Sequence, residues 1–535
     1  MKFEQSLWAF VLNASTISAK PTTAKPASGD FESKCAAIAS KLVIDQGTVA
    51  FSQFVAAGTN LSLGQNDPSC TQTFIPVTAD ICRIALSVST SNSSGFSMEA
   101  WLPSNWTGRF LSGGNGGLNG CIKYQDLAYT SALGFSAVGT NNGHNGTSGR
   151  PFLNSPGVLE DFAYRALHTG AEVGKKISKA FYGKTHKKAY YFGCSTGGRQ
   201  GFKLAQDFPE AFDGIVAGAP AVDFNNLNSW SGHFYGITGP PNSSTFVTRA
   251  QWLTVHADVL KQCDALDGYV DGIIEDTLLC KYDPSGLTCP DGTTNSTSCL
   301  TPTQVKTVKA VFEPLLNSTG GVLYSRLQPG AEVSSAAITL NGVPFSYTTD
   351  WYRYAIYNDP SWDPTKQSVK DYEYGYRLNP FNIATFKGDL SGVKKRGAKI
   401  LHWHGSQDQI ITSENSPRYY EHVSATMKLS PKQLDEFYRF FRISGTAHCS
   451  GGDGAHAVGQ GTGEVNSYKP SENVLFALVD WVENKKAPET ITGTRWVNNT
   501  QSLGVAYQRA HCKYPKRNQY KGKGDPNVVG SWECV

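Results

Sequence analysis

Between about residues 85 and 225, short apolar runs alternate with turn signals and longer amphipathic stretches, the rhythm of an α/β sheet. RFLSGGNGG (109–117) predicts a strand running into a glycine loop, and GFSAVGTNNG (134–143) a second buried strand. In DFAYRALHTGAEVGKKISKAFYG (161–183) apolar residues fall at 162, 163, 166, 170, 173, 177, 180 and 181, close to helical spacing, which predicts a helix covering the sheet. KAYYFG (188–193) predicts a strand, QGFKLAQDF (200–208) a helix and FDGIVAGAP (212–220) the next strand. From 226 to 394 the rhythm fails, and aromatics, Asn, Ser, Pro and four closely spaced cysteines dominate; this reads as an inserted domain. The rhythm resumes at AKILHWHG (398–405) and FYRFFRIS (437–444), each a predicted strand followed by a polar loop, and a helix is predicted near 473–484. The expected organisation is an α/β domain formed by 20–225 and 395–535, interrupted by an inserted domain at 226–394.

Composition narrows the class. With 40% hydrophobic and 17% charged residues in 535, the chain has material for a packed interior and few charges to solvate an extended one. A net charge of +4, with no basic block longer than KKR at 394–396, gives nucleic-acid binding little support. Twelve cysteines without CxxC or Cys/His knuckle spacing favour six disulfides over zinc. Nine glycosylation sequons, at Asn13, Asn60, Asn92, Asn105, Asn145, Asn242, Asn295, Asn317 and Asn498, point the same way, to a secreted glycoprotein. LWAFVL (7–12), preceded by Lys2 and followed by small residues up to Ala19, reads as a signal peptide over 1–19, weakened by Glu4, Gln5 and Asn13. No other stretch approaches the length of a membrane span, so a soluble monomer or homodimer is expected.

The chemistry begins at Gly193-Cys194-Ser195-Thr196-Gly197. This is G-x-S-x-G between a predicted strand and a predicted helix, the context of a nucleophile elbow. Glycines tolerate the crowding of a strained turn that pushes the serine hydroxyl out of the sheet, and the helix N-terminus favours negative charge there. An unaided hydroxyl is a poor nucleophile, so a base and an orienting carboxylate are required. His448, after FYRFFRIS, and Asp408, after the strand ending near His404, stand in loops at strand ends and complete the order Ser, acid, His. His144, His402, His404 and His511 are other candidates, and the alternation of His402 with His404 along a strand suits core or supporting groups. Cys194 precedes the serine and Cys449 follows the histidine. If Ser195 bonds His448, the two cysteines come within disulfide range; the alternative is a free Cys194 or one paired elsewhere.

This Cys-Ser, Asp, His-Cys arrangement, with GCSTGGRQG, DGIIED, DEFYRFF, DWVENKKAP and HCKYPK, resembles the fungal tannase and feruloyl esterase family from about residue 31 onward. The resemblance implies an α/β-hydrolase fold with a lid inserted after the sixth strand, a triad of Ser195, Asp408 and His448, and a bridge from Cys194 to Cys449. It also implies bridges pairing Cys35 with Cys82, Cys70 with Cys121, Cys263 with Cys280, Cys289 with Cys299, and Cys512 with Cys534. For the oxyanion hole, the Thr196 amide is expected, with Gly116 or Gly117 of the GGNGG loop as second donor.

In CDALDGYVDGIIED (263–276), Asp264, Asp267 and Asp271 crowd a glycine-rich turn, a repulsive arrangement unless a hard cation gathers them, though the spacing is not that of an EF-hand. The resemblance implies structural Ca2+ held by these three carboxylates and by the carbonyls of Tyr269 and Ile273, bracing the lid. SWSGHFYG (229–236) and the aromatics Trp351, Tyr352, Tyr354 and Tyr357 are candidates to wall a pocket, or simply packing. The expected activity is that of a secreted serine esterase releasing ferulic, p-coumaric or caffeic acid from plant cell-wall esters. Galloyl-ester hydrolysis is the alternative, to which KKR would add a processing site of the kind some tannases carry; a catalytically silent binding protein is a third reading.

Overall fold

A computed structural model of the chain describes residues 28–293 and 296–535; the signal-peptide segment and the sequons at Asn13 and Asn295 lie outside them. The core is one nine-stranded sheet. In spatial order its strands are Gly47–Val55, Ile81–Ser89, Gly95–Pro103, Phe135–Thr140, Arg109–Gly113, Lys188–Cys194, Gly214–Gly218, Lys399–Gly405 and Tyr438–Ile443. The first four pair antiparallel and the remainder parallel. Parallel strands covered on both faces need continuous apolar runs rather than alternation. Phe135–Thr140 and Gly214–Gly218 are accordingly buried at every position.

The two faces are still separated by the pleat. Tyr191 packs into one layer with Leu167, Ile177, Phe202 and Val423, from the helices Ala166–Tyr182, Thr196–Asp207 and Asn415–Met427. Its neighbour Tyr190 points the other way, to Leu475, Leu478 and Trp481 of the helix Val474–Asn484. The helix read from 161–183 is α-helical over Ala166–Tyr182 and begins with a π turn at Asp161–Arg165.

The insertion leaves after Gly214–Gly218, the seventh strand of this sheet in chain order rather than the sixth that the resemblance implies. Its loss of strand-and-helix rhythm has a plain cause: the segment is mainly helical, with Phe224–Thr238, Arg249–Cys263, Pro302–Val311 and Val369–Leu378, and holds, among the described residues, a single short strand pair, Leu315–Leu316 with Val322–Tyr324. Three of these helices carry capping boxes, Thr248 with Gln251, Thr301 with Gln304 and Ser368 with Asp371. Trp230, Trp252, Tyr324, Trp351 and Tyr352 are fully buried in a core continuous with Leu118, Phe162 and Ile411 of the catalytic domain. Residue 226 falls inside Phe224–Thr238, whereas Leu390 and Val393 already pack with the sheet. Among the described residues no helix is long and apolar enough to cross a membrane.

Candidate active site

Ser195 joins the strand Lys188–Cys194 to the helix Thr196–Asp207 with φ 67° and ψ −126°, a conformation costly for a side-chain-bearing residue. The turn is held from both sides: the Ser195 amide donates to the Gly218 carbonyl (3.0 Å), and the Ser195 carbonyl accepts from the Ala221 amide (3.0 Å). The glycines are sterically required. A Cβ on Gly193 would lie 2.8 Å from the Gly197 carbonyl carbon, and one on Gly198 would lie 2.3 Å from the Gly218 oxygen.

The loops after Lys399–Gly405 and Tyr438–Ile443 bring Asp408 and His448 to this serine. His448 Nε2 lies 2.9 Å from Ser195 Oγ, and His448 Nδ1 lies 2.7 Å from Asp408 Oδ2. Asp408 is completely buried, with Oδ1 accepting from the amides of Ile410 (2.9 Å) and Ile411 (2.8 Å). Burial alone pushes its carboxyl up. The opposed charge of His448 and hydrogen bonds from His404 and His448 outweigh burial and hold it well below the usual carboxylate range. A lid residue reaches the same loop: Gln328 Nε2 donates to the Asp408 carbonyl at 2.6 Å.

Cys194 and Cys449 are bridged, Cα atoms 5.9 Å apart, across 255 residues of chain. The other ten cysteines pair as the resemblance implies: 35–82, 70–121, 263–280, 289–299 and 512–534. The remaining histidine candidates are buried. His144 Nε2 bonds the Leu118 carbonyl and His511 Nε2 that of Ala455, while His402 and His404 share the Ser416 hydroxyl.

A narrow cleft opens at Ser195. Its walls are mostly apolar, with Leu118, Phe224, Leu227, Phe345, Tyr347 and Ile410 prominent, and polar side chains enter through Asn228 and Ser231. Of the proposed pocket stretch 229–236 only Ser231 lines this cleft, and Trp351 and Tyr352 lie in the lid core instead. Phe345 and Tyr347 gave no periodic signal, since they stand in a polar-looking segment, NGVPFSYTTD. Thr196 opens its helix, so its amide has no intrahelical carbonyl. Its hydroxyl donates to the Gly117 carbonyl at 2.7 Å, tying the glycine loop to the elbow. Between the two candidate glycines, Gly117 lines the cleft beside Ser195, whereas Gly116 stands one residue back against Lys123.

The acidic loop behaves differently from a closed metal shell. Asp264 Oδ2 accepts from the Gly272 amide (2.9 Å), Asp267 Oδ1 from that of Tyr269 (2.9 Å) and Asp271 Oδ1 from that of Ile273 (3.1 Å). Asp271 Oδ2 faces Arg509 at 3.0 Å, and Arg509 also pairs with Glu275. No group of three or more His, Cys, Asp or Glu side chains is arranged to hold a metal among the described residues. One donor is left over: Asp267 Oδ2 is buried without a hydrogen-bond partner. Burial, with the carboxylates of Glu275 and Asp271, pushes the Asp267 carboxyl up to about 7. An unpartnered hard oxygen in an acidic pocket fits a hard cation.

The family described as "Tannase and feruloyl esterase" matches residues 82–535. A probable feruloyl esterase B-1 of Aspergillus flavus is 53% identical over 505 residues, 94% of this chain and 96% of that protein. The crystal structure of feruloyl esterase B from Aspergillus oryzae superposes with a TM-score of 0.92 at 49% identity, covering 94% of this chain and all of that one. A tannin acyl hydrolase from Aspergillus niger shares the fold at 22% identity, with a TM-score of 0.73 over 95% of this chain and 94% of that one.

Proposed function

Because the chain belongs to the tannase and feruloyl esterase family, we propose that it is a secreted serine esterase releasing hydroxycinnamic acids from plant cell-wall esters. The observation that carries this reading is the hydrogen-bonded series Ser195–His448–Asp408, at 2.9 and 2.7 Å, at the mouth of an apolar cleft. His448 Nε2 takes the proton of Ser195 Oγ as that oxygen attacks the ester carbonyl carbon. The carbonyl oxygen gains the charge and is met by the amides of Thr196 and Gly117, fixed before reaction. His448 returns the proton to the departing alkoxide, and the Ser195 acyl-enzyme remains. Water, deprotonated by the same histidine, then attacks the acyl carbon; the C–O bond to Ser195 breaks, the serine recovers the proton and the acid leaves. Asp408 stays ionised throughout and stabilises the imidazolium.

The cleft walls favour a cinnamoyl group over a galloyl group. A flat ring with one or two polar substituents matches apolar walls broken by Asn228 and Ser231, whereas the three adjacent hydroxyls of gallate leave polar groups to be buried without partners. A silent binding protein has no need of an intact relay.

At the acidic loop we propose a calcium ion held by the carboxylates of Asp264, Asp267 and Asp271 and the carbonyls of Tyr269 and Ile273. It would neutralise the charge crowded beside the Cys263–Cys280 bridge and brace the lid, taking no part in bond making. Six disulfides and exposed sequon asparagines at 60, 92, 105, 145, 242 and 498 support an extracellular glycoprotein.

The test is hydrolysis of methyl ferulate, methyl p-coumarate, methyl caffeate and methyl gallate by the protein and by Ser195→Ala. Cinnamate turnover lost in the variant is expected. Preference for gallate would make the protein a tannase, and no turnover by folded protein would leave a binding role.

A further inference from the structure

The triad acid carries a second histidine. Asp408 Oδ2 accepts from His448 Nδ1 at 2.7 Å and lies 3.1 Å from His404 Nε2. His404 Nε2 also lies 3.2 Å from the Ile411 carbonyl. Both partners are acceptors only, so Nε2 carries the ring proton. In the neutral ring Nδ1 then accepts, and its partner at 2.6 Å is the Ser416 hydroxyl. With that hydroxyl's hydrogen committed, Ser416 Oγ accepts from His402 Nε2 (2.9 Å), and His402 Nδ1 accepts from the Tyr438 hydroxyl (2.9 Å). Burial keeps His402 neutral, as this order requires. The result is a chain of donors running one way, Tyr438 to His402 to Ser416 to His404 to Asp408. Every member is buried, none more than 1% exposed. Together with His448 and the amides of Ile410 and Ile411 it gives the carboxylate four donors, two to each oxygen.

We propose that His404 is a positioning residue for the triad acid: as the last link of this buried chain, it fixes Asp408 Oδ2 toward His448 and moderates the charge that oxygen presents. The charged groups around it do not substitute for it. A small cavity beside His404 is lined by Glu275, Glu414 and Arg442, and each is already paired, Glu275 with Arg509, Glu414 with Arg326 and Arg442 with Asp276. Asp408 is therefore the one carboxylate His404 serves. A donor shared with the oxygen that faces His448 draws charge from it. Without that donor the oxygen holds a proton on His448 more tightly, and attack, which needs unprotonated His448, begins at higher pH.

The inference rests on the serine-esterase reading but not on its acyl specificity. Its test is therefore the rate at which a fluorophosphonate labels Ser195, followed against pH, a readout that survives even if no cinnamate is hydrolysed. No labelling of folded wild-type protein would overturn the esterase reading and this inference together. In His404→Phe the plateau rate is expected to fall about tenfold, and the acid limb to move up by roughly half to one pH unit. His404→Gln, which keeps a donor, should hold the limb near wild type. If His404→Phe does not fold, Ser416→Ala, which releases the His404 tautomer, should move the limb in the same direction by less. Folded variants with the wild-type limb would overturn the inference, even with a lower plateau, because that pattern reports displaced packing alone.

Discussion

Breaking the Cys194–Cys449 bridge should lower kcat far more than its position outside the cleft implies. The bridge closes 255 residues of chain, and loop-closure entropy for that length gives about 5.5 kcal/mol of stabilisation through the unfolded state. The bridges 263–280 and 289–299 lie inside that loop but span only 17 and 10 residues, so they alter the figure little. At roughly 2.1 cal/mol/K of unfolding entropy per residue, about 5.5 kcal/mol over this chain corresponds to a fall in Tm of about 5 °C. The catalytic effect is separate. Cys449, next to His448, is held at φ 64°, and without the bridge that residue is free to relax and carry His448 from its 2.9 Å contact with Ser195. A displacement of about 1 Å in a reacting group costs on the order of 100-fold in rate. Cys194→Ala/Cys449→Ala is thus expected to retain the wild-type KM for methyl ferulate, since neither cysteine lines the cleft, while kcat falls by about two orders of magnitude. Thermal melts and steady-state kinetics on the same preparation separate the two effects. A wild-type kcat accompanying the lower Tm would refute the clamp and leave the bridge as a fold staple.

Three further outcomes are expected. The Asp267 carboxyl titrates near 7 in the folded chain, above its ordinary 3.8, so the folded state retains a proton that the unfolded state has lost. Without a cation this group costs stability increasingly from about pH 4 to 7; a cation needs the ionised form, so the rise in Tm on adding calcium should grow from pH 5 to pH 8 and vanish in Asp267→Asn, and equal shifts at both pH values would count against the site. Gly117→Ala places a Cβ 2.5 Å from the Tyr347 hydroxyl at φ 52° and should cost kcat on the order of 100-fold, whereas Gly116→Ala, 3.6 Å from the flexible end of Lys123, should cost little; the reverse order would move the second oxyanion donor. Asp408→Asn should lower kcat by on the order of 10⁴ with near-native melting, as expected where an orienting carboxylate is lost, and near-normal turnover would remove Asp408 from the relay.

What the sequence disclosed depended on how locally each feature is determined. Parallel strands are short apolar runs with turns at both ends, so 109–113, 135–140, 188–194, 214–218, 399–405 and 438–443 announced themselves. Ser195, Asp408 and His448 stood out because each follows such a strand directly, and the sheet brings those strand ends together. The lid was legible only as a break in rhythm, since its core joins Trp230, Tyr324 and Trp351 across more than a hundred residues. Phe345 and Tyr347 escaped notice because only that packing turns their segment toward Ser195. The role of His404 was equally hidden: alternation with His402 marks a strand, but the Ser416 hydroxyl that connects them comes from a helix twelve residues later. Cys194–Cys449 was legible from its place beside Ser195 and His448, whereas the other five disulfide pairings followed from family resemblance, because spacing alone leaves many connectivities open.

Whether a hydroxycinnamoyl group is carried on Ser195 is read by quenching the enzyme in acid during turnover of methyl ferulate and mapping the modified peptide. A feruloyl ester is expected on the peptide bearing Ser195, bridged through Cys194 to the peptide of Cys449, and none in Ser195→Ala. Turnover with the acyl group on another residue, or ester hydrolysis undiminished in Ser195→Ala, would contradict it.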